Sequence, residues 1–181
     1  MKNWSRLARR VRVPLSFVLA ALYLWLAHPV WHSLIGGGVL AFGGLAWRAA
    51  ASGYVHKDRE LTTAGPYAYM RNPLYFGSLI IGAGFAVAAR SLAIAAGMAA
   101  LFLLVYLPVI QAEERFLRSK FPAYDDYARR VPRFGFKLAG RTKTSAVFSA
   151  RRYLHHREYN AFIGAVAMLA ALAAKLWWRL R

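Results

Sequence analysis

The chain has 181 residues, 59% of them apolar, and its 25 Lys and Arg against 7 Asp and Glu give a formal charge of +18. A soluble domain carries about 45–50% apolar residues; the excess here comes in membrane-length blocks, which excludes a disordered chain and separates it from nucleic-acid modules, whose basic residues sit between short apolar elements. The absence of Cys excludes a disulfide framework, a thiolate nucleophile and Cys-ligated metal sites.

Apolar blocks cover residues 14–30, 34–51, 73–89, 92–112 and 161–178. About 20 residues cross a bilayer, so the first four read as spans, with Arg48 in the second as their single charge. The last block contains Lys175 and ends in Trp177 and Trp178, which suits either a fifth span or an interfacial helix. Basic residues 2–12 before the first block resemble a signal peptide, but His28, Pro29, Val30 and Trp31 provide no small-x-small cleavage site, so the block is expected to remain as a span. The expected fold is all-α: one polytopic membrane helical bundle over 1–181, with amphipathic cytoplasmic segments.

Charge sets the expected orientation. Residues 1–12 carry 5 cations, 55–72 carry 3 and 113–159 carry 12, whereas the short loops between spans hold only Arg90. The positive-inside rule puts the basic segments and the N-terminus in the cytoplasm of a multi-pass protein, most simply in a bacterial cell membrane.

The third and fourth blocks are separated only by Arg90 and Ser91, which predicts a tight antiparallel hairpin. The third helix rises about 25 Å at roughly 1.5 Å per residue, which brings its start, Arg71, Asn72, Pro73, Leu74 and Tyr75, beside the end of the fourth, Glu113 and Glu114. Asn72 suits the N-cap and Pro73 the first helical position; the free N–H groups there suit an anion. Two carboxylates at a helix C-terminus near the membrane boundary call for compensation. Arg118 at i+4 offers it to Glu114, whereas Glu113 faces Leu117 at that spacing and is the stronger site candidate.

The loop before this helix, Lys57, Asp58, Arg59, Glu60, Leu61, Thr62, Thr63, Ala64, Gly65, Pro66 and Tyr67, closes on a Gly-Pro turn and is expected to wall the same pocket. After the Glu pair, Phe116, Leu117, Phe121, Tyr124, Tyr127, Val131 and Phe134 predict an amphipathic segment on the membrane surface. Asp125 and Asp126 read as surface pairs with Arg129 and Arg130, and residues 145–158 as a basic surface for anionic lipid headgroups. Adjacent helical side chains diverge, so His155 and His156 predict no metal site. Gly82-Ala83-Gly84 reads as helix packing ahead of a cofactor box.

These residues carry a resemblance: Leu61, Thr62, Thr63, Ala64, Gly65, Pro66 and Tyr67; then Arg71 to Gly77; then Glu113 and Glu114 followed by Phe121, Tyr124, Tyr127 and Val131. Over residues 55–135 the chain resembles the membrane methyltransferases related to isoprenylcysteine carboxyl methyltransferase and phosphatidylethanolamine N-methyltransferase. Isoprenylcysteine enzymes have His where this chain has Asn72, while the phospholipid enzymes share its Asn-Pro-x-Tyr.

The resemblance implies a helical bundle that binds S-adenosylmethionine in a cytosol-facing pocket and takes a lipid or lipidated acceptor from the bilayer. Carried over, the cofactor contacts are Arg59, Glu60, Leu61, Thr62, Tyr67, Asn72, Pro73, Leu74, Tyr75 and Glu113. Asn72 and the helix N-terminus would hold its carboxylate, Glu113 its amino or ribose group, and Arg71 would counter charge at the rim, with Glu113, Arg71 and Glu114 the catalytic candidates. Phospholipid N-methylation, an NADPH-dependent membrane reductase and a non-catalytic membrane adaptor stand as alternatives.

Overall fold

The computed structural model describes residues 17–55, 60–135, 148–155 and 157–181, and all regular elements among them are helical. In chain order these are α1 (Phe17–Leu26), α2 (Trp31–Ser52), α3 (Pro73–Ala89), α4 (Leu92–Lys120), α5 (Tyr124–Arg130), α6 (Ala150–His155) and α7 (Tyr159–Arg179), with a 3-10 turn at Gly65–Ala68. By length and composition α2, α4 and α7 can cross a membrane, while α1 and α3 are shorter apolar helices.

The ambiguous last block forms the 21-residue α7, and its charge has a local explanation. Lys175 Nζ donates to the carbonyl of Ala27 at 2.7 Å and to those of Leu24 and Trp25. These lie at the C-terminal end of α1, where carbonyls lack helical partners and the dipole favours a cation.

Packing between α2 and α3 depends on glycine. A β-carbon at Gly37 would lie 2.4 Å from the Gly84 carbonyl oxygen, and one at Gly44 would lie 2.8 Å from that of Gly77. Small residues at this spacing let two backbones approach where lipid supplies no hydrophobic drive. Gly84 therefore serves packing, as the sequence suggests.

The hairpin forms as expected. Arg90 ends α3 in the left-handed conformation, φ 49°, and the Ser91 hydroxyl accepts from the Ile94 N–H to cap α4. One feature of α4 departs from a uniform helix: Phe102–Tyr106 is a π turn. Pro108 lacks the N–H that would bond the Leu104 carbonyl, so the helix widens just ahead of it. The widening shifts the register of everything that follows, including Glu113 and Glu114.

Candidate active site

The N-terminal turn of α3 and the C-terminal turns of α4 meet at one end of the bundle. Two hydrogen bonds define the junction. Tyr75 Oη donates to Glu113 Oε2 at 2.7 Å, and Asn72 Nδ2 donates to Glu114 Oε1 at 2.9 Å. The hairpin geometry read from the sequence thus holds, but the partners differ from the expected ones. Asn72 occupies the N-cap position without a side-chain cap bond, because its amide is turned to Glu114.

Glu114 is compensated from across the fold. Arg133 donates to it through Nε and Nη2, the latter at 2.7 Å, and Arg71 Nη1 lies 3.8 Å away. The expected pairing of Glu114 with Arg118 does not occur. Arg118 turns outward to Asp125 at 2.6 Å, while the Glu114 side chain is only 6% exposed. A desolvated carboxylate gains more from guanidiniums brought in by the fold than from an exposed neighbour on its own helix. The expected i+4 surface pairs are also rearranged: Asp126 pairs with Arg129 at i+3 and Asp125 with Arg118, all four side chains being exposed.

Glu113 has a different setting. Tyr75 is its hydrogen-bond partner, and it lines a pocket of about 270 Å³ with Val55, Glu60, Leu61, Thr62, Tyr67, Arg71, Asn72, Leu74 and the aromatic group Phe116, Phe121, Tyr124 and Tyr127. Of the expected site residues, Glu60, Leu61, Thr62, Tyr67, Arg71, Asn72, Leu74 and Glu113 therefore share one cavity. Pro73, Tyr75 and Glu114 support it from α3 and α4. Arg59 lies outside the described residues.

Part of the run after the Glu pair departs from the membrane-surface expectation, while Phe116 stays half exposed. Tyr124, Tyr127 and Val131 are buried in a cluster with Leu61, Leu117 and Phe121, so they face the protein's own loop, and the two tyrosines line the pocket. Tyr127 Oη donates to the Tyr67 carbonyl at 2.7 Å, and the Arg71 N–H donates to the Pro132 carbonyl at 2.9 Å. These bonds hold the Gly-Pro turn and the α3 start against the returning chain. Burial, with Glu113 adding to it, pushes the Tyr67 phenol well above its ordinary range, so this ring is a neutral wall at all physiological pH.

Arg71 lines the pocket with its side chain mostly covered, 14% exposed. Its guanidinium lies against the Tyr124 phenol, and its Nε and the phenol oxygen are both closed off from solvent.

A second cavity of about 560 Å³ is lined by apolar residues of α3 and α4 and by Ala161, with Arg48, Ser78 and Tyr106 as its polar members. Tyr75 touches a lining residue of each space. Its hydroxyl reaches Glu113 in the polar pocket, while its ring meets that of Tyr106 edge-on with centroids 6.0 Å apart.

Arg48, the lone charge of α2, had no assigned role in the sequence. It forms a bidentate pair with Glu158, Nη2 to Oε1 at 2.8 Å, and donates to Ser78 Oγ. Gly77 makes room for its stem, since a β-carbon there would lie 2.5 Å from Arg48 Cγ. Glu158 is thus used internally, and Arg152 donates to the Gly53 carbonyl at the end of α2, so these two residues of 145–158 serve the fold, whereas Arg151 and Arg157 are exposed. His156 lies outside the described residues.

A model described as phospholipid methyltransferase matches residues 15–123, which takes in the α3 start and both Glu residues. The chain belongs to the phospholipid methyltransferase family. The chain is 37% identical over 139 residues to the cobalt-zinc-cadmium resistance protein CzcN of Cupriavidus metallidurans, covering 71% of this chain and 62% of that one. It is also 37% identical over 137 residues to the nickel-cobalt-cadmium resistance protein NccN of Alcaligenes xylosoxydans xylosoxydans, covering 71% and 63%. It therefore spans less than two thirds of the length of these curated relatives. No solved structure matches it. Among the described residues no group of three or more His, Asp or Glu side chains is placed to hold a metal ion.

Proposed function

We propose that this membrane protein transfers a methyl group from S-adenosylmethionine, bound in the polar pocket, to a lipid-like or lipidated acceptor lodged in the apolar cavity. The observation that carries the reading is the setting of Glu113. Its neighbour Glu114 is neutralised by Arg71 and Arg133, whereas Glu113 faces the pocket with a phenol for a partner. A carboxylate so placed suits a cationic ligand.

The residues present fit the cofactor. The Asn72 side chain is occupied by Glu114, so the free N–H groups at the start of α3, where Leu74 lines the pocket, would take its carboxylate. Glu113 and Glu60 offer acceptors for its ammonium and ribose hydroxyls, and Tyr67, Phe116 and Phe121 give apolar walls for adenine. When bound, the sulfonium supplies an activated methyl group.

The chain's task is then alignment and exclusion of water. In-line transfer needs no protein nucleophile; holding the partners in line and removing solvent supplies several kcal/mol. Tyr75 touches a lining residue of each space and fixes Glu113, which leaves Pro73 and Leu74 to set the α3 turn against the pocket. For an acceptor that carries a proton, Glu113 is the nearest base candidate. Exposed Arg115, Arg130, Arg151 and Arg157 at this end of the bundle would meet anionic headgroups and place the pocket on the cytoplasmic side.

An NADPH reductase is the competing enzyme. Its phosphates would need cations in the pocket, and Arg71 already serves Glu114. Calorimetric titration of the protein in lipid nanodiscs separates the readings. Binding of S-adenosylmethionine without NADPH supports methyl transfer, the reverse pattern supports reduction, and binding of neither supports an adaptor.

A further inference from the structure

We infer that Phe148 is a positioning residue for the polar pocket, acting through Tyr54 on the Gly65 turn; the inference rests on the reading of that pocket as the cofactor site. The sequence following the pocket returns to the end of α2. The Ser149 N–H donates to the Gly53 carbonyl at 3.0 Å, and Arg152 Nη1 donates to the same oxygen at 3.0 Å. This seats the Phe148 ring directly on Gly53, where a β-carbon would lie 2.1 Å from it.

The contact continues inward. The Phe148 ring meets that of Tyr54 with centroids 6.1 Å apart and a 65° interplanar angle. The Tyr54 ring in turn lies on Gly65, where a β-carbon would come within 2.7 Å. Gly65 has φ +58°, a left-handed conformation that suits glycine, and it opens the 3-10 turn that carries Tyr67. Tyr67 and Val55, the latter next to Tyr54 in the chain, both line the pocket.

Two glycines, each covered by a ring, and the two rings in contact form a continuous buttress behind the pocket wall. From the front, Tyr127 holds the same turn through the Tyr67 carbonyl. Removal of the outer ring releases Tyr54 and lets the turn relax away from the cofactor, at a cost on the scale of one aromatic pair.

Calorimetric titration of the full chain in nanodiscs with S-adenosylmethionine tests this, with thermal unfolding followed in parallel. Phe148→Ala is expected to weaken the dissociation constant about tenfold, with Phe148→Tyr returning it to within about twofold of wild type. Gly53→Ala displaces the ring without removing it and is expected to match Phe148→Ala, which decides the matter should Phe148→Ala fail to fold. Leu154→Ala, an exposed position on the same segment, is expected to bind as wild type. Unchanged affinity in folded Phe148→Ala or Gly53→Ala overturns the inference alone. Failure of the wild-type protein to bind S-adenosylmethionine overturns the cofactor reading on which it rests.

Discussion

Tyr75 and Glu113, separated by 38 positions in the chain, are joined by a 2.7 Å hydrogen bond from phenol to carboxylate. The bond closes the α3–α4 hairpin at its polar end, and Tyr75 also packs on Tyr106 of the apolar cavity. The two adjacent carboxylates consequently have separable jobs. Glu113 belongs to the pocket, and Glu114 belongs to the scaffold.

Glu113→Gln should weaken S-adenosylmethionine binding about tenfold or more, because a neutral amide gives up the charge complementary to a cationic ligand. Tyr75→Phe, which leaves the carboxylate but frees it to move, should have a smaller effect. Both proteins should unfold close to wild type, since neither change strands a buried charge. Titration calorimetry with a thermal unfolding control checks the pair.

Glu114→Ala should act on stability instead. It leaves Arg71, whose side chain is 14% exposed, without its carboxylate, and breaking a buried pair from one side costs about 3–5 kcal/mol. Arg133→Ala removes a partner that is 40% exposed and should cost less, about 1 kcal/mol. Denaturant titration in detergent gives the order.

The Arg48–Glu158 pair should show coupling in a double-mutant cycle. With side chains 22% and 12% exposed, Arg48→Leu and Glu158→Leu together should be less damaging than the sum of the single changes, by about 1–3 kcal/mol. Strict additivity would mean that the pair does not join α2 to the start of α7.

Filling the apolar cavity should separate donor from acceptor. Gly82 lines it, and a β-carbon there meets only Met98 Sδ at 3.8 Å, so Gly82→Leu has room to fold. It should suppress methyl transfer to a lipid acceptor while S-adenosylmethionine affinity stays within about twofold of wild type.

How much of this was legible in the amino-acid order depends on the range of the interaction. Arg90 and Ser91 allow only a tight turn between two apolar helices, and that local constraint is enough to place Asn72 to Tyr75 beside Glu113 and Glu114. Glu60, Leu61, Thr62 and Tyr67 of the expected loop accordingly fall in one pocket. The pairing of Glu114 with Arg133 was hidden because it depends on the chain turning back after α5, and a helix-local rule pointed to Arg118. Tyr124 and Tyr127 had the right spacing for one apolar face, but spacing does not say whether lipid or protein covers it. The π turn had a visible cause in Pro108, although a block of uniform hydropathy masked it. Arg48 was conspicuous as a lone charge, and its partner, 110 positions away, was not.

The most direct measurement is incubation of the purified protein with methyl-labelled S-adenosylmethionine and a total membrane lipid extract, followed by identification of the labelled species. The account predicts label in a lipid or lipidated product with wild-type protein and a marked loss of it with Glu113→Gln. Folded wild-type protein that leaves every component of the extract unlabelled would contradict it.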